Sequence, residues 1–179
     1  MKVPRIVITG APASAKTEFI ERLKKNLELS HFVFLDELAR VLLKENSDLR
    51  SHPIDLHCEI YHRQVAREYK LNGRPFISDR GTLDGFAFHQ GSMEAIGTTS
   101  EKEYQRYTAV IQLGSAARLG DDFYQTDDIR QETLEQTIAI EDAIARIWNG
   151  HGAYCYIEAE PNIERKFDKF VKLVRQLAL

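Results

Sequence analysis

Residues 3–18 constrain this chain more than any other stretch: Val-Pro-Arg-Ile-Val-Ile-Thr-Gly-Ala-Pro-Ala-Ser-Ala-Lys-Thr-Glu. Ile6, Val7 and Ile8 form a β-branched run of the kind that fills a buried strand. The run meets Gly10, and Gly10-Ala11-Pro12-Ala13-Ser14-Ala15-Lys16-Thr17 then leads into a helical pattern. This is the strand–loop–helix frame of a phosphate-binding P-loop, G-x-x-x-x-G-K-[ST], with one departure. In such a loop backbone N–H groups wrap a phosphate at a helix N-terminus, where the dipole favours negative charge. Lys16 reaches phosphate oxygens, and Thr17 offers its hydroxyl to Mg²⁺. The departure is Ala15, which stands at the second glycine. A Cβ there narrows the approach to a phosphate and costs on the order of 1–3 kcal/mol where φ is positive.

Composition excludes more than it identifies. The 179 residues suit a single domain over 1–179 with a sizeable core. A net charge of −3 gives no reason to expect a nucleic-acid or membrane surface, and no apolar run is long enough to cross a bilayer. There is no signal-peptide pattern, and Cys58 and Cys155 are too few for a disulfide framework. The expectation is a reduced, cytoplasmic protein. His57, Cys58 and His62 invite a zinc reading, but no second cluster completes four ligands. Nothing in the pattern sets an oligomeric state.

Strand and helix signals alternate, which predicts an α/β fold with a parallel sheet. Strands are expected at 4–9, 32–35, 75–78, 108–113 and 153–158. Helices are expected at 16–29, 37–45, 54–71, 83–96 with a break at Gly91, 128–148 and 162–177. The helix 54–71 carries Ile54, Cys58, Tyr61, Val65 and Tyr69 on one stripe. Five parallel strands beginning with a P-loop imply a three-layer α/β/α sandwich with its ligand at the carboxyl ends of the strands. Those ends carry acids and arginines: Asp36-Glu37-x-x-Arg40 after the second strand and Asp79-Arg80-Gly81, with Asp84 beyond, after the third. Arg118, Asp121, Asp122, Asp127 and Arg130 follow the fourth, and Glu158 to Arg165 the fifth.

The P-loop, Leu-Asp-Glu-Leu-Ala-Arg, Arg63-Gln64, Ile-Ser-Asp-Arg-Gly-Thr-Leu-Asp and Tyr-x-x-Asp-Asp-x-Arg together resemble the small P-loop proteins classed as AAA domains. These are similar to nicotinamide riboside kinase-like domains and, more distantly, to nucleoside and nucleotide kinases. The resemblance covers nearly the whole chain and implies a nucleotide kinase-like P-loop NTPase fold. It implies that the loop 159–165 borders adenine through its backbone, and that segment 114–127 is a lid whose Arg118, with Arg130, closes on the transferring phosphate. Asp127 or Asp128 reads equally as a cap of the next helix, and Arg130 equally as a surface charge.

Phosphoryl transfer asks for positioning and charge neutralisation. Asp79 is the candidate Mg²⁺ residue beside Thr17, and Arg80 is placed to meet phosphate oxygens. Asp36 and Glu37 stand where a base takes an acceptor hydroxyl proton, although Asp36 also reads as a helix N-cap. Arg40 lies one turn from Glu37 and reads equally as its ion-pair partner. His57 and Gln64 share a face of the helix 54–71, a candidate wall of an acceptor pocket, or a solvated helix face. The expected activity is a Mg²⁺-dependent transfer of the ATP γ-phosphate to a small-molecule acceptor. GTP stays open as donor, although no Asn/Thr-Lys-x-Asp sequence is present. Two alternatives stand beside it: a nucleotide-hydrolysing or nucleotide-sensing module acting through a partner, and a P-loop impaired by Ala15.

Overall fold

The structure is a computed structural model that describes residues 2–89, 91–124 and 132–178. Five strands, β1 (Arg5–Thr9), β2 (Val33–Leu35), β3 (Phe76–Asp79), β4 (Ala109–Leu113) and β5 (Tyr154–Ile157), form one sheet in the order β2-β3-β1-β4-β5. Every pairing is parallel, with Ile8 opposite both Asp79 and Ile111. The helices are α1 (Lys16–Lys24), α2 (Leu38–Glu45), α3 (Pro53–Lys70), α4 (Asp84–Phe88), α5 (Gly91–Ile96), α6 (Ser100–Tyr104), α7 (Leu134–Trp148) and α8 (Ile163–Ala178).

Alternation along β1 makes the two cores. Ile6 and Ile8 point to one face and pack with Phe19 and Leu23 of α1 and Phe170 and Val174 of α8. Val7 points to the other and packs with Leu83, Phe86, Ile144 and Trp148, from α4, its approach and α7. The result is the expected three-layer α/β/α sandwich. Trp148 is fully buried in the second core. Gly81 exists because of it: a Cβ there would lie 2.9 Å from both Trp148 Cζ2 and Val7 Cγ2. Among the described residues no helix is long and apolar enough to cross a membrane.

Several boundaries differ from the sequence expectation. The helix expected over 16–29 ends at Lys24, and a 3₁₀ turn follows at Leu27–Leu29. The helix expected from Asp128 begins at Leu134. Thr133 caps it with a capping box, its hydroxyl accepting from Gln136 N while Gln136 accepts from Thr133 N. Asp127 and Asp128 lie outside the described residues. Helix α6 is an addition to the expected elements; Thr99 caps it through Lys102 N.

The apolar stripe of α3 marks its buried face only in part: Tyr61 packs against the second core, but the ends of the stripe do not. Ile54 and Tyr69 are exposed, at 44 % and 86 %, whereas Gln64 is buried. The helix turns Gln64 and Glu68 toward β3 because Ser78 and Tyr107 offer hydrogen-bond partners there. Buried polar groups are tolerated where hydrogen bonds meet them, as they do for the Gln64 amide and the Glu68 carboxylate.

Because the space at Gly81 is closed by two side chains of the second core, Gly81→Ala is expected to destabilise the fold by about 1–3 kcal/mol. Urea unfolding measures this, and a midpoint equal to wild type would show that Trp148 shifts freely.

Candidate functional site

Strand β1 ends in the P-loop, whose backbone takes conformations that L side chains resist. Ala13 has φ +59° and Ala15 φ +67°, both left-handed. The sequence expectation for Ala15 therefore meets the costly case. Gly10 is required sterically, since a Cβ would lie 2.7 Å from the Leu113 carbonyl oxygen. Among the described residues, no N–H of residues 13–17 donates to a protein acceptor. The loop carbonyls are instead held from outside. Pro12 O accepts from Ser115 Oγ at 2.6 Å, Ala13 O from Ala116 N at 3.0 Å and Ser14 O from Lys166 Nζ at 2.9 Å. With these carbonyls engaged, the amides at the start of α1 are left without a protein acceptor, as an anion cradle requires.

Lys16 is buried, and its Nζ lies 2.7 Å from Asp79 Oδ1. Among the described residues that ammonium is the Asp79 carboxylate's only salt-bridge partner, and Oδ1 receives no well-aligned hydrogen bond. Thr17, Asp36, Glu37, Arg40 and Asp79 line one cavity of about 230 Å³, together with Glu21 and Lys44. Residues at or beyond the ends of three different strands and on two helices thus meet at one place. The exposed Thr17 hydroxyl and the incompletely satisfied Asp79 carboxylate suit Mg²⁺, which takes few protein ligands and completes its shell with water and phosphate oxygens. Among the described residues no group of three or more His, Cys, Asp or Glu is arranged to hold a metal. A metal here would therefore depend on phosphate oxygens.

Arg80 stands behind this cavity at φ +70°, a strained backbone position at the end of β3. Its Nε donates to Glu37 Oε1 at 2.9 Å, and its Nη1 lies 3.4 Å from Asp84 Oδ1. Burial opposes the Arg80 charge, and Glu37, Asp84 and Asp79 outweigh it. Burial likewise opposes the Glu37 charge, but Arg80 and Lys16 hold its carboxyl below the usual range. Asp84 is buried, accepts from Thr9 Oγ1 and from Gly81 N at 2.7 Å, and burial raises its carboxyl despite Arg80. It ties β1 to the turn that presents Arg80. Its sequence signal was its place three residues past Gly81, inside the Asp-Arg-Gly-Thr-Leu-Asp run.

Some expected site residues are placed otherwise. Asp36 does not cap α2: its side chain pairs with Lys24 at 2.8 Å, and Glu37 holds the N-cap position without a side-chain capping bond. Arg40 makes no ion pair among the described residues, so the expected close pairing with Glu37 does not form. Gln64 does not line the cavity; its amide is spent on Ser78, Glu68 and Arg67. His57 packs against the bare backbone of Gly85 and near Phe88 and His89, with Nδ1 buried and unpartnered.

The expected lid is anchored in its described part. Ser115, Ala117 and Tyr124 are buried, and Ala116–Leu119 is a 3₁₀ turn. Arg118 is spent on α7, with Nε 2.8 Å from Glu141 and a second bond to Asp142. Buried Glu141 also accepts from Ser115 N and from Tyr156 Oη at 2.8 Å. An acid this deep demands partners, and Arg118 supplies the cation. Arg118, Leu119, Glu158 and Ala159 line a second cavity of about 520 Å³ at the ends of β4 and β5. Arg130 lies outside the described residues.

Two experiments follow. Because Ala15 sits at positive φ, Ala15→Gly is expected to tighten binding of Mg²⁺ and ATP about fivefold, roughly 1 kcal/mol. Calorimetric titration of both forms decides it; equal affinity would show that the loop accepts alanine without penalty. Separately, burial, then His89 and Arg80, push the His57 imidazole down to about 4. The unfolded chain then binds more protons as pH falls from about 6.5 to about 4. The stability owed to neutral His57 is full above that window and lost across it. Denaturant midpoints at pH values of about 7, 5.5 and 4.5 are expected to fall, and His57→Gln to make the fall shallower. An equally steep fall in the variant would place the titration elsewhere.

Comparison with known proteins adds one finding. No curated protein matches the sequence. A family described as an AAA domain matches residues 5–166, from the first residue of β1 into α8. With its P-loop cradle, parallel sheet and this match over most of its length, the chain belongs to the AAA domain family and is a P-loop nucleotide-binding domain.

Proposed function

We propose that this domain is a Mg²⁺-dependent phosphotransferase that moves the γ-phosphate of ATP to a small-molecule acceptor, in the manner of nucleoside and nucleotide kinases. The observation that supports this is the 230 Å³ cavity, which gathers Thr17, Asp36, Glu37, Arg40 and Asp79 beside Lys16. In this reading the amides of residues 13–17 bind the phosphates, and Lys16 leaves Asp79 for phosphate oxygens. Thr17 and Asp79 hold Mg²⁺, which neutralises the charge that develops on the transferring group. Arg80 adds a fixed positive charge behind them. Glu37 orients the acceptor hydroxyl as a hydrogen-bond acceptor, a role that its low pKa permits. Arg40 and Lys44, with no ion pairs among the described residues, draw a polar or anionic acceptor into the outer cavity. The 520 Å³ cavity between residues 118–119 and 158–159 takes the base.

One observation favours hydrolysis as a second reading. The cavity is smaller than the roughly 300–1,000 Å³ common for drug-sized ligands, so only a compact group fits in this conformation.

Asp79→Asn is expected to lower turnover about a hundredfold, near 2.7 kcal/mol of barrier, while nucleotide affinity changes less than about threefold. A coupled assay over nucleoside, nucleotide and pyridine-riboside acceptors measures it alongside calorimetry. If inorganic phosphate forms at the same rate whatever acceptor is supplied, the hydrolysis reading replaces this one.

A further inference from the structure

Lys166 is the first member of the buried stripe of α8, followed by Phe170, Val174 and Ala178. A lysine in that position is costly unless its ammonium has partners. It has two, both backbone: Ser14 O at 2.9 Å in the P-loop and Gly114 O at 2.6 Å at the end of β4. The ammonium also lies 5.8 Å from the Phe19 ring of α1. Burial pushes Lys166 down to about 8, opposed by Glu141 and Glu160, so it remains largely an ammonium at neutral pH.

Its bond to Ser14 completes a series. Pro12, Ala13 and Ser14 are consecutive, and their three carbonyls are held by Ser115 Oγ, Ala116 N and Lys166 Nζ. Lys166 is the contact next to Ala15, the residue held at φ +67° where the motif has glycine. Glycine reaches that region at little cost, whereas alanine must be held there by its surroundings. We propose that Lys166 is a positioning residue of the P-loop. Its two backbone bonds hold Ala15 left-handed and so keep the amides of residues 13–17 turned toward the phosphate. The device replaces what a glycine in place of Ala15 would supply unaided. It rests on nucleotide binding at the P-loop and is independent of the phosphoryl acceptor.

The test is a double-mutant cycle between Ala15→Gly and Lys166→Met, with Mg²⁺ and ATP as the titrant. Methionine keeps the length of the side chain and removes its donors. Lys166→Met is expected to weaken binding about tenfold, 1.4 kcal/mol, in the Ala15 background and less than about threefold in the Ala15→Gly background. Circular dichroism confirms that each form is folded. Lys166→Gln, which keeps an N–H donor without the charge, is expected to lie between, and it replaces Lys166→Met if that variant does not fold. An equal loss in both backgrounds, or wild-type binding by Lys166→Met, overturns the proposal. If wild type binds no nucleotide, the binding reading fails on its own and the same cycle is read in melting temperature. There the drop for Lys166→Met is expected to be larger with Ala15 than with the glycine substitution, and an equal drop overturns the clamp.

Discussion

The site depends on which way a few peptide groups face. In the loop after β1, three successive carbonyls point outward to partners on the segment after β4 and on α8. Only with those oxygens engaged can the amides of residues 13–17 converge on an anion without leaving buried acceptors unpaired. The orientation is not free, because two alanines take left-handed backbone. The neighbouring elements supply what the loop's own composition does not. The segment just after β4 thus braces the P-loop, through the Ser115 hydroxyl and the Ala116 N–H.

Charge is arranged in alternation across the ends of β1, β2 and β3. Lys16 stands against Asp79, and Arg80 between Glu37 and Asp84. Each of these charges has an opposite neighbour, although at Asp84 burial outweighs Arg80 and raises the carboxyl. Under the proposed function, phosphate oxygens would draw Lys16 from Asp79 and leave that carboxylate to a cation, an exchange between groups that already stand side by side.

The second cavity shows the same logic used for structure. Glu141 is buried in α7 and collects Arg118, Tyr156 and the Ser115 N–H. Ser115 in turn reaches Pro12. Nothing in the charged look of residues 114–124 distinguishes an arginine that closes on a phosphate from one that neutralises a buried acid. The difference lies in Glu141, which belongs to the next helix and is remote in sequence. Helix α3 makes the same point: its apolar stripe was legible, but the partners Ser78 and Tyr107 decided that Gln64 and Glu68 turn inward.

What the sequence determined by itself was local. The β-branched run, the Gly10 to Thr17 frame and the alternation of periods sufficed for the P-loop, the strands and the layered architecture. Backbone propensity and burial repeat along the chain and leave a readable signal. The residues after the strands were also legible as a set, because any parallel sheet brings its strand ends to one edge. The tertiary structure decided which of them share a cavity. It selected Glu37 for Arg80 and gave Asp36 to Lys24, and it sent Arg118 to α7 and Lys166 beneath the P-loop. These choices depend on the strand order β2-β3-β1-β4-β5, which sets neighbours that are far apart in sequence. A buried polar group takes whichever partner that packing brings within about 3 Å, and no local pattern encodes the partner's identity.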